Sequence, residues 1–518
     1  MEAFLQMFGS KLKGCITGFD RLVFKGMLRP LLFAAGAQAF LAARGILNKD
    51  YKDWMLAQSS MLVQAVEQSA QAVCGRGIIP IASCHIRKET LAHARQQETG
   101  IASGLIGVWS CVEAGTTFRA TFDRTAGYPK LRVDTTRCKH LYFYYDHPVY
   151  GFLSIRLQTW FPFEIQIAVN GREWLRRSLD AAGCQYLKQG NKFLDIADYP
   201  LAQHLLNTQL NTRWEEMLTA FLPEVFPTMP KTLGNLTYYW TVWQSEWATD
   251  FICDSPETVK RLMDPLLRHA LLTGTAERVL RYLARPVRPD GQPHPLSSPE
   301  VLTRVQTWQD GARIRHWADD NSVKLYNEQN VLRVEMTMNR PDRFKVSRHK
   351  EGRQDTPKQR LPLRKGVADI PLRAQVAADV NKRFTAHLAT LKDETPVRQV
   401  FAEFGAHMHD GRRVRALDPL GKDLALLQAI ADPALGISGI TNKALRGALG
   451  GTPWANGKKD KALSARITRH LRLLRDHGVI RKLPNQRKYQ LTEKGRRLTS
   501  VVNVLLGAST QQLLDMAA

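Results

Sequence analysis

Two periods of apolar spacing alternate along the chain. Near the C-terminus the period is helical: Leu463, Ile467, Leu471 and Leu474 are spaced by four, four and three. That spacing makes one buried stripe. Ser464, Arg466, Thr468, Arg469, Arg472 and Arg475 fall on the other face. "LALLQAI" from Leu424 predicts a short helix before it, and "ITNKALRGALG" a second helix with a polar, capping start. Gly478 ends the striped helix. "VIRKL" and "KYQLT" predict two strands around the basic tip "PNQR", and "EKGRRLTSVVNVLL" a closing helix.

Residues 137–182 carry the other period. His140–Tyr145, Phe152–Thr159 and Phe163–Val169 are β-rich runs separated by "DHPVYG" and "WFP". Leu153, Ile155 and Leu157 share one face, with Ser154, Arg156 and Gln158 on the other. Phe163, Ile165 and Ile167 repeat the pattern against Glu164, Gln166 and Ala168. A helix is expected from about Gly171.

The N-terminal part predicts a strand around Phe19–Phe24, a helix over "PLLFAAGAQAFLAARGI", a helix over about Trp54–Val73 and a short strand at 78–82. Residues 200–290 read as mostly helical. They include "YYWTVWQSEWATDFICD", where helical spacing puts Trp240, Trp243, Trp247 and Phe251 on one stripe and Glu246 and Asp250 on another side. Residues 285–300 are rich in Pro and polar residues and read as a linker. Val323–Tyr326 and Val331–Thr337 are expected to pair as a hairpin across "NEQN". Helices follow at about 374–392 and 395–405. The expected architecture is a multidomain α/β chain. An α/β region with an antiparallel meander covers 1–200 and a helical region 201–290. A β-hairpin unit with a basic stretch covers 301–410, and a C-terminal module built around the striped helix covers 415–518.

Charge narrows the function. The chain is 518 residues long, with 73 Lys+Arg against 48 Asp+Glu, a net charge of +25, and a pI near 9.9. Such an excess favours a polyanionic partner. Residues 340–373 hold eleven Lys/Arg against four Asp/Glu, and residues 411–500 hold twenty against six. Arg348 and Lys350 in the first stretch, and Arg156 on the meander's polar face, are further candidate nucleic-acid contacts. The seven cysteines have no CxxC spacing, which argues against a disulfide framework and a four-cysteine zinc site. "SCHIRKE" and "RCKH" place Cys near His without zinc-ligand spacing. No signal peptide and no membrane-spanning stretch is read. The expected location is the cytoplasm, associated with the nucleoid, with no membrane partner.

"RHLRLLRDHGVIRK…KYQLTEKG" resembles the winged-helix family of the MarR and ArsR type, over about 415–506. The resemblance implies that the helix bearing Ser464, Arg466, Thr468 and Arg469 enters a major groove, with Arg472 on the same basic face. It implies that Arg487 and Lys488 on the wing touch backbone or minor groove. Duplex DNA is then the expected partner, RNA is the alternative, and a homodimer fits such a module.

An enzyme acting on nucleic acid would need carboxylates converging from different strands on Mg2+ or Mn2+. Asp20, Glu164 and Glu335 sit in strand-like contexts and are the candidate catalytic and metal-binding residues. Each also has a structural reading: Asp20 paired with Arg21 or Lys25, Glu164 with Arg156, Glu335 solvated beside Arg333. "VKLYNEQNVLRVE" resembles a motif of plasmid and filamentous-phage replication initiators. Tyr326-Asn327 and Arg333-Val334-Glu335 match it, Glu328 stands where that family has Lys, and no His-hydrophobic-His motif accompanies it. The resemblance implies Tyr326 as a catalytic nucleophile. No P-loop, GxSxG or HExxH occurs. The reading is a bacterial nucleic-acid-binding protein of mobile-element or replication type. The alternatives are a metal-dependent nuclease, recombinase or initiator, and a non-catalytic protein binding a structured RNA.

Overall fold

The computed structural model describes residues 2–285, 287, 301–308, 311–353, 355–389, 397–432, 435, 439–458, 460–483 and 486–508. The expected linker at 285–300 lies almost wholly outside them, as does part of the "PNQR" tip. Two compact units emerge: Gly9–Val259 with Asp320–Lys382, and Met1–Phe8 with Lys260–Asp319 and Arg383–Ala518. Among the described residues no helix is long and apolar enough to cross a membrane.

The strands are, in chain order, β1 (Leu12–Met27), β2 (Ile79–Pro80), β3 (Gly104–Asp123), β4 (Tyr128–His147), β5 (Gly151–Gln158), β6 (Ile165–Asn170), β7 (Tyr186–Gln189), β8 (Lys192–Ile196), β9 (Tyr239–Cys253), β10 (Val301–Trp308), β11 (Gly311–Ala318), β12 (Asn321–Glu328) and β13 (Val331–Met338). In the larger unit they order as β12-β13-β9-β1-β6-β5-β4-β3-β2. Only β2 and β3 run parallel among these neighbours. The expected meander is β4, β5 and β6. Leu153, Ile155, Leu157, Ile165 and Ile167 are buried, as the alternation requires. The first run is only the end of a 20-residue strand. Its outer half pairs with β3, is largely exposed, and therefore lacks the apolar alternation that announces a strand.

The aromatic segment 239–253 is not a helix, which corrects the expected helical middle. It is strand β9, hydrogen-bonded to β1 on one side and β13 on the other. Trp247, Thr249, Phe251 and Cys253 alternate with Glu246, Ala248, Asp250 and Ile252 across its faces. A register shift opposite Val23 and Phe24 gives Trp243 no partner on β1, and Trp243 is exposed. The aromatics thus meet a helical spacing by coincidence, and a double-sided burial that only a central strand provides decides the outcome. The Ile370–Leu388 helix covers the Trp247 face. Its buried Asn381 donates to the carbonyls of Trp247 and Val334, and its buried Arg373 donates to the Val242 carbonyl.

The smaller unit contains most of the Pro256–Thr273 helix, the Ala276–Tyr282 helix and the β10–β11 hairpin. These two helices lie within residues 200–290, which read as mostly helical. Its C-terminal segment holds helices Leu424–Ile430, Asn442–Leu449 and Asp460–Asp476, the paired strands Ile480–Lys482 and Tyr489–Leu491, and the helix Glu493–Gly507. Thr441 caps the second helix by accepting from the Ala444 amide at 3.1 Å. Ile440 and Tyr489 exchange backbone hydrogen bonds of 2.8 Å, adding a third short strand contact to the hairpin. Leu463, Ile467, Leu471 and Leu474 are all buried, packed with Leu426, Leu445, Val479 and Leu498.

Candidate nucleic-acid interface and a buried charge network

Charged side chains converge on one face of β12, β13, β9 and β1. The β12–β13 turn has two residues rather than four, with Gln329 at φ 51°. That register places Lys324 opposite Glu335 and Tyr326 opposite Arg333. On the next strand Arg333 meets Asp250, and Thr337 meets Glu246. A bulge in β1 between Phe19 and Arg21 inserts Asp20 beside this row. The Gly171–Ala181 helix adds Arg172, and the β7–β8 turn adds Asn191.

Arg333 is 1% exposed and holds the network together. Its guanidinium donates to Asp20 Oδ1 at 2.8 Å, to Asp250 Oδ2 at 2.8 Å and through Nε to Asp250 Oδ1. Arg172 Nε donates to Asp250 Oδ2 at 3.1 Å, and Asn191 to Asp20 Oδ1 at 2.8 Å. Burial opposes ionisation of Asp250, but Arg333 and Arg172 outweigh it and hold the carboxyl near 2. Glu335 receives Lys324 Nζ at 2.5 Å and the Tyr326 hydroxyl at 2.6 Å. Burial again pushes its carboxyl upward, and the Lys324 and Arg333 charges win, leaving it below the usual range. Glu246 is 3.7 Å from the same ammonium, and burial together with the Glu335 charge pushes it up to about 7. Two carboxyls around one lysine are therefore driven in opposite directions, an arrangement that can hold one proton near neutral pH.

Glu246→Gln tests this. A folded-state value above the ordinary 4.5 means that folding favours the protonated acid. That contribution is complete below about pH 4.5 and is lost as pH rises through about 7. The glutamine keeps the neutral form throughout. Between those limits wild type should lose on the order of 3 kcal/mol relative to the variant, read from paired urea midpoints.

Of the three candidate metal ligands, Asp20 and Glu335 flank Arg333 while Glu164 lies elsewhere, bonded to Lys25 at 2.9 Å. None pairs as its simple structural reading expected. Asp20 takes Arg333 rather than Arg21 or Lys25, and Arg156 reaches Glu113 at 3.4 Å rather than Glu164. Glu335 is buried rather than solvated, and Tyr326 is buried with its phenol pushed well up by burial and by Glu335. Glu328, where the initiator motif has Lys, is ion-paired with Lys192. Among the described residues no three His, Cys, Asp or Glu side chains are arranged to hold a metal ion. Arg172, Lys324 and Asn191 were not singled out from sequence. The available signal was Lys324 and Glu335 at matching hairpin positions, hidden by a turn read two residues too long.

The Asp460–Asp476 helix presents Lys461, Ala465, Thr468, Arg469, Arg472 and Arg475 to solvent. Thr468 and Ser464 have local partners on the preceding helix: Asn442 Nδ2 donates to Thr468 Oγ1 at 3.0 Å, and Ser464 Oγ donates to Asn442 Oδ1 at 3.0 Å. Arg466 is half-buried with its guanidinium 4.6 Å from the Trp454 ring centroid. Arg472 and Arg475 line a small cleft with His409 and Arg412. Between the paired strands Ile480–Lys482 and Tyr489–Leu491, Arg487 and Lys488 are exposed. In the larger unit Arg348 donates to the Pro362 carbonyl at 2.9 Å, whereas Lys350 is exposed. Comparison with protein-family models, curated proteins and solved structures yields no match.

Proposed function

We propose that the protein binds duplex DNA through a C-terminal winged helix, with the basic body engaging the same nucleic acid. One observation carries this reading. The Asp460–Asp476 helix has a fully apolar inner stripe and an outer stripe of Lys461, Thr468, Arg469, Arg472 and Arg475. The order of elements around it, with a strand contact at Ile440 and a two-stranded hairpin after the striped helix, supports the winged-helix reading. In such a module the exposed stripe lies in the major groove and the hairpin tip approaches the backbone. Ser464 orients the helix against Asn442 in this reading, while Arg469 and Arg472 supply the contacts.

Arg469→Ala tests the assignment. After selection of a preferred duplex from a random pool, the variant should bind that duplex ~1–3 kcal/mol more weakly by fluorescence anisotropy. Its affinity for unrelated duplexes should change less. A uniform loss with a shallower salt slope would make Arg469 a phosphate contact instead. Unchanged affinity for every duplex would remove the helix from the interface.

A further inference from the structure

A cavity in the larger unit is walled by aromatic rings. It has a volume of about 640 Å³ and lies among the Tyr51–Cys74 helix, the start of β3, the end of β4, the β4–β5 turn and the segment from Trp214 to Val225. Tyr145 and Phe221 have ring centroids 5.9 Å apart, Phe221 and His147 5.8 Å, and His147 is stacked on Tyr150 at 4.5 Å. The four rings thus form one continuous wall. Burial, then the Arg177 charge, hold the His147 ring below its usual value. Its Nδ1 accepts from the amides of Val149 and Tyr150 at 3.0 and 3.2 Å, so the neutral ring carries its proton on Nε2. Glu224 is the only Asp, Glu, Lys or Arg among the described residues that line the cavity, in a chain with 73 Lys+Arg. It is exposed and makes no ion pair among the described residues. The buried Tyr145 phenol is pushed well up by burial, and the neighbouring Glu224 carboxylate adds to it.

We propose that this cavity binds an organic cation, an amine or quaternary ammonium carried on an apolar body. Ring faces carry the negative end of the aromatic quadrupole and attract a cation, most strongly where water is excluded. The Glu224 carboxylate supplies the counter-charge at the exposed side, and Val66, Val108 and Phe143 give the apolar body a dry wall. The volume falls within the range of about 300–1,000 Å³ that encloses a small ligand. An anion would find no lysine or arginine on this wall, and a metal ion would find a single carboxylate. The net charge of +25 opposes uptake of cations by the chain as a whole, so saturable uptake requires a local site. Every lining residue lies within Gly9–Val259, and Arg469 is not among them, so this site and the proposed duplex contact stand or fall separately.

The full chain, titrated with benzyltrimethylammonium and followed by ligand-observed NMR, should show saturable uptake. Neopentylbenzene, the uncharged isostere with carbon in place of the nitrogen, should bind more weakly. Glu224→Gln, at an exposed position, should keep the wild-type melting transition and weaken the cation roughly tenfold, with the isostere unchanged. Val73→Trp, also at an exposed lining position, should close the cavity to both probes. The proposal is overturned by no uptake of the cation, by equal affinity for cation and isostere, or by wild-type cation affinity in either variant.

Discussion

Arg333→Met is expected to destabilise the larger unit by ~3–5 kcal/mol, the largest single-residue effect foreseen for this chain. The methionine fills much of the volume but leaves Asp20 and Asp250 facing each other without their shared cation. The arginine is buried and bonded to both carboxylates, so the cost is that of two desolvated anions left to Arg172 and Asn191. Urea unfolding monitored by tryptophan fluorescence measures it, since Trp240 and Trp247 lie on the strand that carries Asp250. The acid limb gives an independent readout. Asp250 is held near 2 in the folded chain against an ordinary 3.8, so its contribution is full above about pH 4 and is lost as pH falls through about 2. In the variant that loss should begin at higher pH. Pairing Arg333→Met with Asp250→Leu should recover part of the stability, because apolar replacement of a whole buried pair is better tolerated than removal of one partner. Wild-type midpoints in Arg333→Met would reduce the network to decoration.

Ile467→Ala ranks second. Ile467 is fully buried in the core formed by the C-terminal helices, and truncating such a residue costs ~2–5 kcal/mol. The damage falls on the segment that presents Arg469 and Arg472, so duplex affinity should fall with stability, and both should recover together on cooling. Arg469→Ala should instead leave the melting transition in place while affinity falls. The contrast separates a residue that builds the proposed interface from one that would belong to it. Ile467→Ala with full affinity at its melting temperature would detach binding from this segment.

The C-terminal segment was legible because its determinants are local. The spacing of Leu463, Ile467, Leu471 and Leu474, the cap at Thr441 and the terminating Gly478 lie within forty residues of one another. The meander around Leu153 and Ile165 was legible for the same reason, since short turns and clean alternation fix its register. Strand β9 was not, because its alternation is broken at Trp243 and its hydrogen-bond partners are Leu12–Met27 and Val331–Met338. The charge network was half legible. Asp20 and Glu335 stand out as acids within strands. Their grouping depends on a contact between residues 313 positions apart and on a β-bulge that no local pattern announces.

The position of β1 has a consequence for how the protein is made. It leaves the ribosome before the other described strands of its sheet, yet it lies between β6 and β9 in the finished sheet. More than two hundred residues separate its end at Met27 from Tyr239, where β9 begins. At about 5–20 residues per second, the strand waits roughly 10–40 s for that neighbour. Arg333 arrives later still, and until then Asp20 lacks the nearer of its two arginines. The centre of the larger unit is thus synthesised first and completed last. Truncated chains ending before residue 339 should therefore be captured by chaperones rather than persist as folded fragments.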